Sequence, residues 1–209
     1  QQKPTFQRPE DVFYNNVQVF NRDSSALAIR QFVEQLKTEG CNLGGEEASQ
    51  KKGENQAPGL KILEALSASG LRSIRYWNEI PNIGKIVAND LSNDAVRDIK
   101  RNVEYNECQH GIEVSHRDAN DLMYENRTNS LSEGRSAPKA GRATSLNDPG
   151  YDVIDLDPYG TVAPFVDAAV QSIRVGGLLC VTCTDLAVPA LSPAPPIDAH
   201  PGSSRRPAA

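Results

Sequence analysis

Residues 151–160 read Tyr151-Asp152-Val153-Ile154-Asp155-Leu156-Asp157-Pro158-Tyr159-Gly160, an apolar run that passes directly into a short turn. The run over 151–156 predicts a buried strand of a parallel sheet. The turn is stiff because Pro158 fixes φ and removes a backbone donor. An acid, a proline and an aromatic residue at a strand end suit chemistry on an amino group attached to a ring, since the carboxylate can bind the amine and the aromatic face can stack on the ring. The same residues also make an ordinary turn, so this stretch alone leaves both interpretations open.

Strand-like and helix-like segments alternate on both sides of this stretch. Apolar residues at helical spacing predict helices over 71–80, after Ser92, which suits an N-cap, and after Gly160. Gly176-Gly177 is expected to separate the last helix from the fifth strand, and a helix opening at 21–25 is expected to cover the sheet. This alternation predicts an α/β fold with a doubly wound, mostly parallel sheet. The predicted strands are 61–66, 85–90, 112–116, 151–156 and 178–184.

Composition limits the classes of protein that this chain can represent. Its 209 residues suffice for one domain with a sizeable core, and its net charge of -5 lacks the basic excess typical of nucleic-acid-binding domains. Four scattered cysteines do not form a disulfide framework. Cys180 and Cys183 lie in a strand-like run that points them to opposite faces, so we expect core packing there and no metal site. No segment approaches the run of about 18 apolar residues that a membrane span needs, so no membrane partner is expected.

Three polar segments interrupt the pattern. Residues 41–58 and 126–150 lack periodicity and are rich in polar residues, which predicts disordered loop insertions. Residues 189–209 are rich in proline, alanine, serine and glycine, which predicts a disordered tail. The folded part of the chain is therefore expected to lie within 1–188.

The ends of four predicted strands carry the candidate binding residues. Ser67-Ala68-Ser69-Gly70 is a small-residue turn that lets a ligand approach the backbone before a helix. Asp90 follows about 20 residues later, where a nucleotide-binding fold places its ribose-binding carboxylate; a helix-capping role is the alternative. Asp118-Ala119 could read an adenine edge or form a solvated loop, and Asp157 ends the fourth strand. Because ligands bind beyond the carboxyl ends of parallel strands, these residues are expected to share one rim.

Two enzyme classes fit parts of this rim. A nicotinamide-dependent dehydrogenase accounts for the small-residue turn and for Asp90. It gives no reason for an acid-proline-aromatic turn after the fourth strand. A methyltransferase that uses S-adenosyl-L-methionine and acts on an amine accounts for all four strand ends, and is the favoured hypothesis.

Several motifs, in order, resemble the eukaryotic tRNA (guanine-26) N2-dimethyltransferase family. The resemblance covers residues 11–188 apart from the two insertions, and it lapses after Val188. The motifs are Phe13-Tyr14-Asn15, Phe20-Asn21-Arg22-Asp23, Ser69-Gly70-Leu71-Arg72, Ala88-Asn89-Asp90, Asp155-Leu156-Asp157-Pro158-Tyr159-Gly160 and Cys183-Thr184-Asp185-Leu186-Ala187.

The resemblance implies a role for individual residues. Asp157 corresponds to the catalytic acid, and Phe13 and Tyr159 correspond to aromatic residues that hold the guanine. No metal is implied. The residues that would bind S-adenosyl-L-methionine are Arg22, Arg72, Asp90, Asp118 and Ala119.

The resemblance also implies a larger protein than this chain. Family members are expected to have the strand order 3-2-1-4-5-7-6 and a C-terminal domain that binds tRNA. We therefore expect a truncated form, with a partial methyltransferase domain over 1–188 whose sheet is incomplete after the fifth strand. A truncated, inactive isoform that only binds cofactor or partners is the alternative. By resemblance the protein is expected in the nucleus, the mitochondrion or both, and no targeting segment is visible in the chain.

Overall fold

The computed structural model describes residues 16–44, 59–132 and 150–183. The predicted tail 189–209 lies outside these residues, as does most of both predicted insertions. Residues 16–18 form a short 3-10 turn that leads into the first helix. The helices are α1 (Val19–Thr38), α2 (Leu71–Glu79), α3 (Asn93–Tyr105), α4 (Ala119–Ser132) and α5 (Ala163–Ser172). The strands are β1 (Leu60–Glu64), β2 (Ile83–Asp90), β3 (Ile112–His116), β4 (Tyr151–Leu156) and β5 (Ile173–Val181).

The described strands form one parallel sheet in the order β3-β2-β1-β4-β5, which confirms the predicted α/β fold. Strand β1 lies at the centre, where Ile62 pairs with Ile86 of β2 on one side and with Val153 of β4 on the other. The chain winds outward from β1 to β3 and then returns to wind the other way through β4 and β5. The carboxyl ends of β1 and β4 therefore lie where the winding reverses, which is the place where such sheets bind ligands.

Helices cover both faces of the sheet. Because side chains alternate along a strand, Ile62 packs on one face with residues of α1, α2 and α3, and Leu63 packs on the other with α4 and α5. Helix α1 buries Ile29 and Val33 completely, so the prediction that it covers the sheet is confirmed. Within the described ranges, no helix combines the length and the apolar character needed to cross a membrane.

Several element boundaries differ from the predicted ones. Strand β5 begins at Ile173, so Gly176-Gly177 lies inside the strand and does not precede it. The register between β4 and β5 shifts near these glycines, and a Cβ on Gly177 would lie 2.9 Å from the carbonyl oxygen of Asp152. The two glycines therefore permit an irregular strand with close backbone contact. Helix α4 also continues to Ser132, into the segment predicted as a loop.

A buried ion pair lies at the amino ends of β4 and β5, opposite the carboxyl rim. Arg174 and Asp152 are only 4% and 3% exposed, and their side chains form a salt bridge. Asp152 also accepts a hydrogen bond of 2.6 Å from the backbone N–H of Lys61 on β1. This pair, hereafter the lower ion pair, ties β1, β4 and β5 together at the end of the sheet that carries no candidate site.

Candidate functional site

A cavity of about 590 Å³ opens at the carboxyl ends of β1 and β4. Its position agrees with the rim predicted from the sequence. Its lining includes Arg22, Glu64, the turn 66–69, Arg72, Asp90 and residues 157–160. Three of the four predicted strand ends therefore meet at one cavity.

The turn after β1 brings backbone to the cavity wall. Ser67 is held by its N–H, which donates to Asn89 O at 2.8 Å, and by its hydroxyl, which donates to Glu64 O at 2.9 Å. Ala68 adopts a positive φ of 48°, which is unusual for a residue with a side chain. The turn is thus fixed by its neighbours, and its small side chains leave the backbone open to a ligand.

Asp90 is oriented by backbone donors on both sides. Its Oδ2 accepts from Ala68 N–H at 2.8 Å and its Oδ1 accepts from Ser92 N–H at 2.9 Å. Ser92 itself caps α3 by accepting from Ala95 N–H at 3.4 Å, as predicted, so Asp90 is not the helix cap. Each carboxylate oxygen has a second lone pair, which leaves Asp90 able to accept hydrogen bonds from a diol in the cavity.

The predicted pair Asp118 and Ala119 lies outside the lining of this cavity. The Oδ1 of Asp118 accepts from the backbone N–H groups of Asn120 at 2.8 Å and Asp121 at 3.1 Å, as an N-capping carboxylate does at the start of α4. Ala119, the first residue of α4, is buried in the core. Asn89 ties this end of β3 to the rim, since its side chain bonds to the backbone of Arg117 at 3.0 and 3.1 Å.

Arg72 lies at the floor of the cavity between two carboxylates. Its Nη2 is 2.6 Å from Asp157 Oδ2, and its Nη1 is 3.2 Å from Asp155 Oδ2. Asp155 is completely buried, whereas the side chain of Asp157 is 28% exposed. Burial raises the pKa of Asp155, although Arg72 and a hydrogen bond from Tyr76 oppose that effect. Asp157 is thus the member of this group that faces the cavity.

Glu64, at the end of β1, is a cavity residue that the sequence did not single out. Its Oε2 accepts from Ser73 N–H at 2.9 Å and also from the Ser73 hydroxyl. Burial raises the pKa of Glu64 to about 8, against the hydrogen bonds from Ser73, with a further contribution from the charge of Asp155. The carboxyl group is therefore mostly neutral at pH 7. The signal that could have identified it is an acid that directly follows the apolar residues Ile62 and Leu63 at the end of the strand.

The raised pKa of Glu64 predicts how stability depends on pH. Between its unfolded pKa of 4.5 and its folded pKa of about 8, the folded protein binds one proton more than the unfolded chain, so stability falls as pH rises. The slope from one such proton is about 1.4 kcal/mol per pH unit. Between pH 6 and pH 8 the free energy of unfolding should therefore fall by about 2 kcal/mol more in the wild type than in Glu64→Gln. Urea unfolding at several pH values measures this difference, and Glu104→Gln is the control because Glu104 is exposed. If the free energy of unfolding of Glu64→Gln depends on pH as that of the wild type does, the prediction is wrong.

The remaining predicted site residues are placed as follows. Arg22 is buried and lines the cavity from α1, and Tyr159 lines it with 80% of its surface exposed. Phe13 lies outside the described residues. Cys180 is buried in the core, whereas Cys183 Sγ lies 3.5 Å from Gly160 O. The two thiols therefore lie in different environments. No group of three or more metal-ligating side chains lies within the described ranges.

Comparison with known proteins identifies relatives that match most of the chain. The family model described as N2,N2-dimethylguanosine tRNA methyltransferase matches residues 1–193. The mitochondrial tRNA (guanine(26)-N(2))-dimethyltransferase of Saccharomyces cerevisiae is 41% identical over 88% of this chain and 34% of its own length. The tRNA (guanine(26)-N(2))-dimethyltransferase of Homo sapiens is 40% identical over 89% of this chain and 31% of its own. This chain thus spans about a third of the length of these relatives.

A solved structure supports the same relationship. Trm1 from Pyrococcus horikoshii, in complex with S-adenosyl-L-methionine, superposes with a TM-score of 0.57 at 28% sequence identity. The match covers 83% of this chain and 38% of that one. The doubly wound sheet described above is therefore shared with a protein that binds this cofactor.

Proposed function

This chain belongs to the N2,N2-dimethylguanosine tRNA methyltransferase family, and on that premise we propose that it carries the cofactor pocket and catalytic acid for methylating N2 of guanine 26 in tRNA. The observation that carries the proposal is the position of Asp157. Its carboxylate lies at the same cavity as Asp90 and the small-residue turn. Asp157, which suits an amine, and Asp90, which suits a diol, thus line the same cavity. The proposed methyltransferase unit is residues 1–188.

The cavity fits S-adenosyl-L-methionine chemically. This cofactor combines a ribose diol, a carboxylate and a positively charged sulfonium group, which supplies an electrophilic methyl group when the cofactor is bound. Asp90 would bind the diol and Arg22 the carboxylate, both from the cavity wall. Asp90 and Asp157 place two carboxylates in the lining of the cavity, where they can face the positive charge of such a ligand. Asp118 and Ala119 lie outside the lining of this cavity, at the adjoining end of β3, and would meet the adenine there.

Asp157 and its turn would act on the guanine. The exocyclic nitrogen is a poor nucleophile because its lone pair is delocalised into the ring. A hydrogen bond from the amine to Asp157 localises that lone pair, and the carboxylate can then take the proton that is released. Tyr159, exposed at the rim, and Phe13 would stack on the base. The base must leave its stack to enter, at a cost of a few kcal/mol.

We propose that tRNA is held mainly through a C-terminal domain, outside the third of the relatives' length that this chain matches. Phosphate contacts from Lys and Arg supply most of the nonspecific affinity for nucleic acid, and this chain has a net charge of -5. The mitochondrial relative from yeast makes the mitochondrion one candidate compartment, with the nucleus as the other.

Two measurements test the proposed function. Calorimetry should show that the chain binds S-adenosyl-L-methionine at one site. In the full-length protein that carries this chain, a tRNA with guanine at position 26 should gain methyl groups at N2, and a tRNA with adenine there should not. Cofactor binding by this chain without methyl transfer by the chain itself favours the truncated, inactive alternative, and absence of binding contradicts the proposal.

Removing the Asp90 carboxylate should weaken cofactor binding. We expect Asp90→Ala to lower the affinity for S-adenosyl-L-methionine about 10- to 100-fold, because charge-assisted hydrogen bonds to the ribose contribute about 1.5–3 kcal/mol. Calorimetry on the folded variant measures the effect. Asp94→Ala is the matched control, since Asp94 is exposed on the adjoining helix. An unchanged affinity in folded Asp90→Ala removes Asp90 from the site.

A further inference from the structure

We propose that Asn89 is a positioning residue that gives this site its preference for an adenine base, because its side chain fixes Asp118 relative to Asp90. The inference rests on the proposed function and deepens it. In that function Asp90 binds the ribose of the cofactor, and Asp118 meets the adenine. The family resemblance gives roles to Asp90 and Asp118 but none to Asn89.

The side chain of Asn89 is completely buried next to Asp90, at the carboxyl end of β2. Its Nδ2 donates to the carbonyl oxygens of Ala65 and Arg117, both at 3.0 Å. Its Oδ1 accepts from the backbone N–H of Arg117 at 3.1 Å. The chain thus supplies a partner for both N–H groups of the carboxamide and for its oxygen. Because a buried polar group costs free energy unless it is hydrogen-bonded, these contacts fix the orientation of the side chain.

These hydrogen bonds extend the sheet one residue beyond its strands. Strand β1 ends at Glu64 and β3 ends at His116, so Ala65 and Arg117 are the first residues after them. A carboxamide carries the same donor and acceptor as a peptide group, and Asn89 uses both on Arg117, as a neighbouring strand would. Among the described strands, β3 pairs with β2 alone. Asn89 therefore carries the pairing of β3 past its last residue, to the rim where ligands bind.

The place of Asn89 in the chain lets it control the spacing of two ligand-binding acids. Asn89 directly precedes Asp90, and Arg117, which it holds, directly precedes Asp118. Asp118 uses Oδ1 to cap α4, which leaves Oδ2 as an acceptor for the amino group of adenine. Adenine and ribose are joined by a single bond, so the two carboxylates must lie at a spacing that matches one nucleoside. Asn89 sets that spacing before the ligand arrives, which lowers the free energy that ordering the site would cost.

Two cofactor analogues test this role without any methyl transfer. S-adenosyl-L-homocysteine carries the adenine amino group, and S-inosyl-L-homocysteine carries a carbonyl oxygen in its place. Calorimetry on this chain should show that the wild type binds the first at least about tenfold more tightly, because a carboxylate that accepts from the amine repels the oxygen. In Asn89→Ala, the ratio of the two dissociation constants should fall below about threefold, since Asp118 is no longer held in place. An unchanged ratio in the folded variant overturns the proposal.

Two control variants separate this role from a general loss of stability. Asp152→Ala breaks the lower ion pair, so it destabilises the sheet at the opposite end and should leave the ratio as it is in the wild type. Asn106→Ala makes the same change of residue at an exposed position at the end of α3. If Asn89→Ala fails to fold, Asn89→Ser keeps a smaller polar side chain, and the same fall in the ratio is expected. A fall of similar size in Asp152→Ala overturns the proposal.

A double-mutant cycle tests whether Asn89 acts through Asp118. Asp118→Asn keeps an oxygen to cap α4 and offers a donor where the carboxylate offered an acceptor, so it should lower the ratio by itself. Asn89→Ala should lower the ratio no further in that background, and independent losses overturn the proposal. A wild type that binds neither analogue refutes the proposed function together with this inference. A wild type that binds both analogues equally refutes this inference alone.

Discussion

Asp157→Ala is expected to abolish measurable methyl transfer while the affinity for S-adenosyl-L-methionine stays within about threefold of the wild type. The reason is the placement of the carboxylate. It lies at the cavity, is held by Arg72 at 2.6 Å, and is separate from Asp90, which would bind the cofactor. A general base contributes about 10²- to 10⁴-fold, and the same group also aligns the amine, so the loss should reach at least the upper part of that range.

The measurement pairs a single-turnover transfer assay with calorimetry on the full-length protein that carries this chain. Asp157→Asn separates the effect of the negative charge from that of the side-chain shape, since the amide keeps the volume but cannot take up the proton at neutral pH. Asp167→Ala is the control, because Asp167 is exposed on α5 and bonds to Tyr124 outside the cavity. Equal losses of cofactor affinity and turnover in Asp157→Ala would mean that its role has been misassigned.

Asp152→Ala is expected to be the most destabilising of the substitutions considered. It removes the counterion of Arg174, which is 4% exposed and cannot lose its own charge. It also removes the acceptor for Lys61 N–H. Breaking a buried ion pair by deleting one partner costs about 3–5 kcal/mol. Urea unfolding of the folded variant should show this loss as a lower midpoint.

An exposed ion pair serves as the control for this prediction. Asp94 and Arg97 form an exposed pair on α3, so Asp94→Ala should cost less than about 1 kcal/mol. Because Asp152 lies at the amino end of β4, the Asp152→Ala variant that remains folded should bind S-adenosyl-L-methionine as the wild type does. A small stability loss, comparable with that of Asp94→Ala, would contradict the prediction.

The sequence predicted the sheet because its signals are local. The apolar run at 151–156 became β4 with the same bounds, and Ser92 capped α3. The prediction failed at Gly176-Gly177, where a pair of glycines was interpreted as a break between elements. Whether glycines end a strand or bend it depends on the neighbouring strand, which for β5 lies at Tyr151 to Leu156. No local pattern carries that information.

The candidate site was predictable to the extent that it follows from strand ends. Asp90 and Asp157 were identified because parallel strands bring their carboxyl ends together. Asp155 and Tyr76 were not singled out as site residues, because Asp155 is distant in sequence from both of its partners, Arg72 and Tyr76. Asp155 is separated from Arg72 by 83 positions. An acid two residues before the proposed catalytic acid is visible in the sequence, but its arginine partner is not.

The contacts that Arg72 makes with Ser25, Asp157 and Thr182 also set an order of events during synthesis. Ser25 and Arg72 are 47 positions apart, and Arg72 and Thr182 are 110 apart. A ribosome delivers the amino-terminal members first, so Arg72 must stay hydrated until β4 and the residues after β5 have emerged. Contacts of such long range close late, because the chain must give up its loop entropy before they form. The contacts that hold Asp157 at the cavity are therefore among the last contacts of the described sheet to form during synthesis.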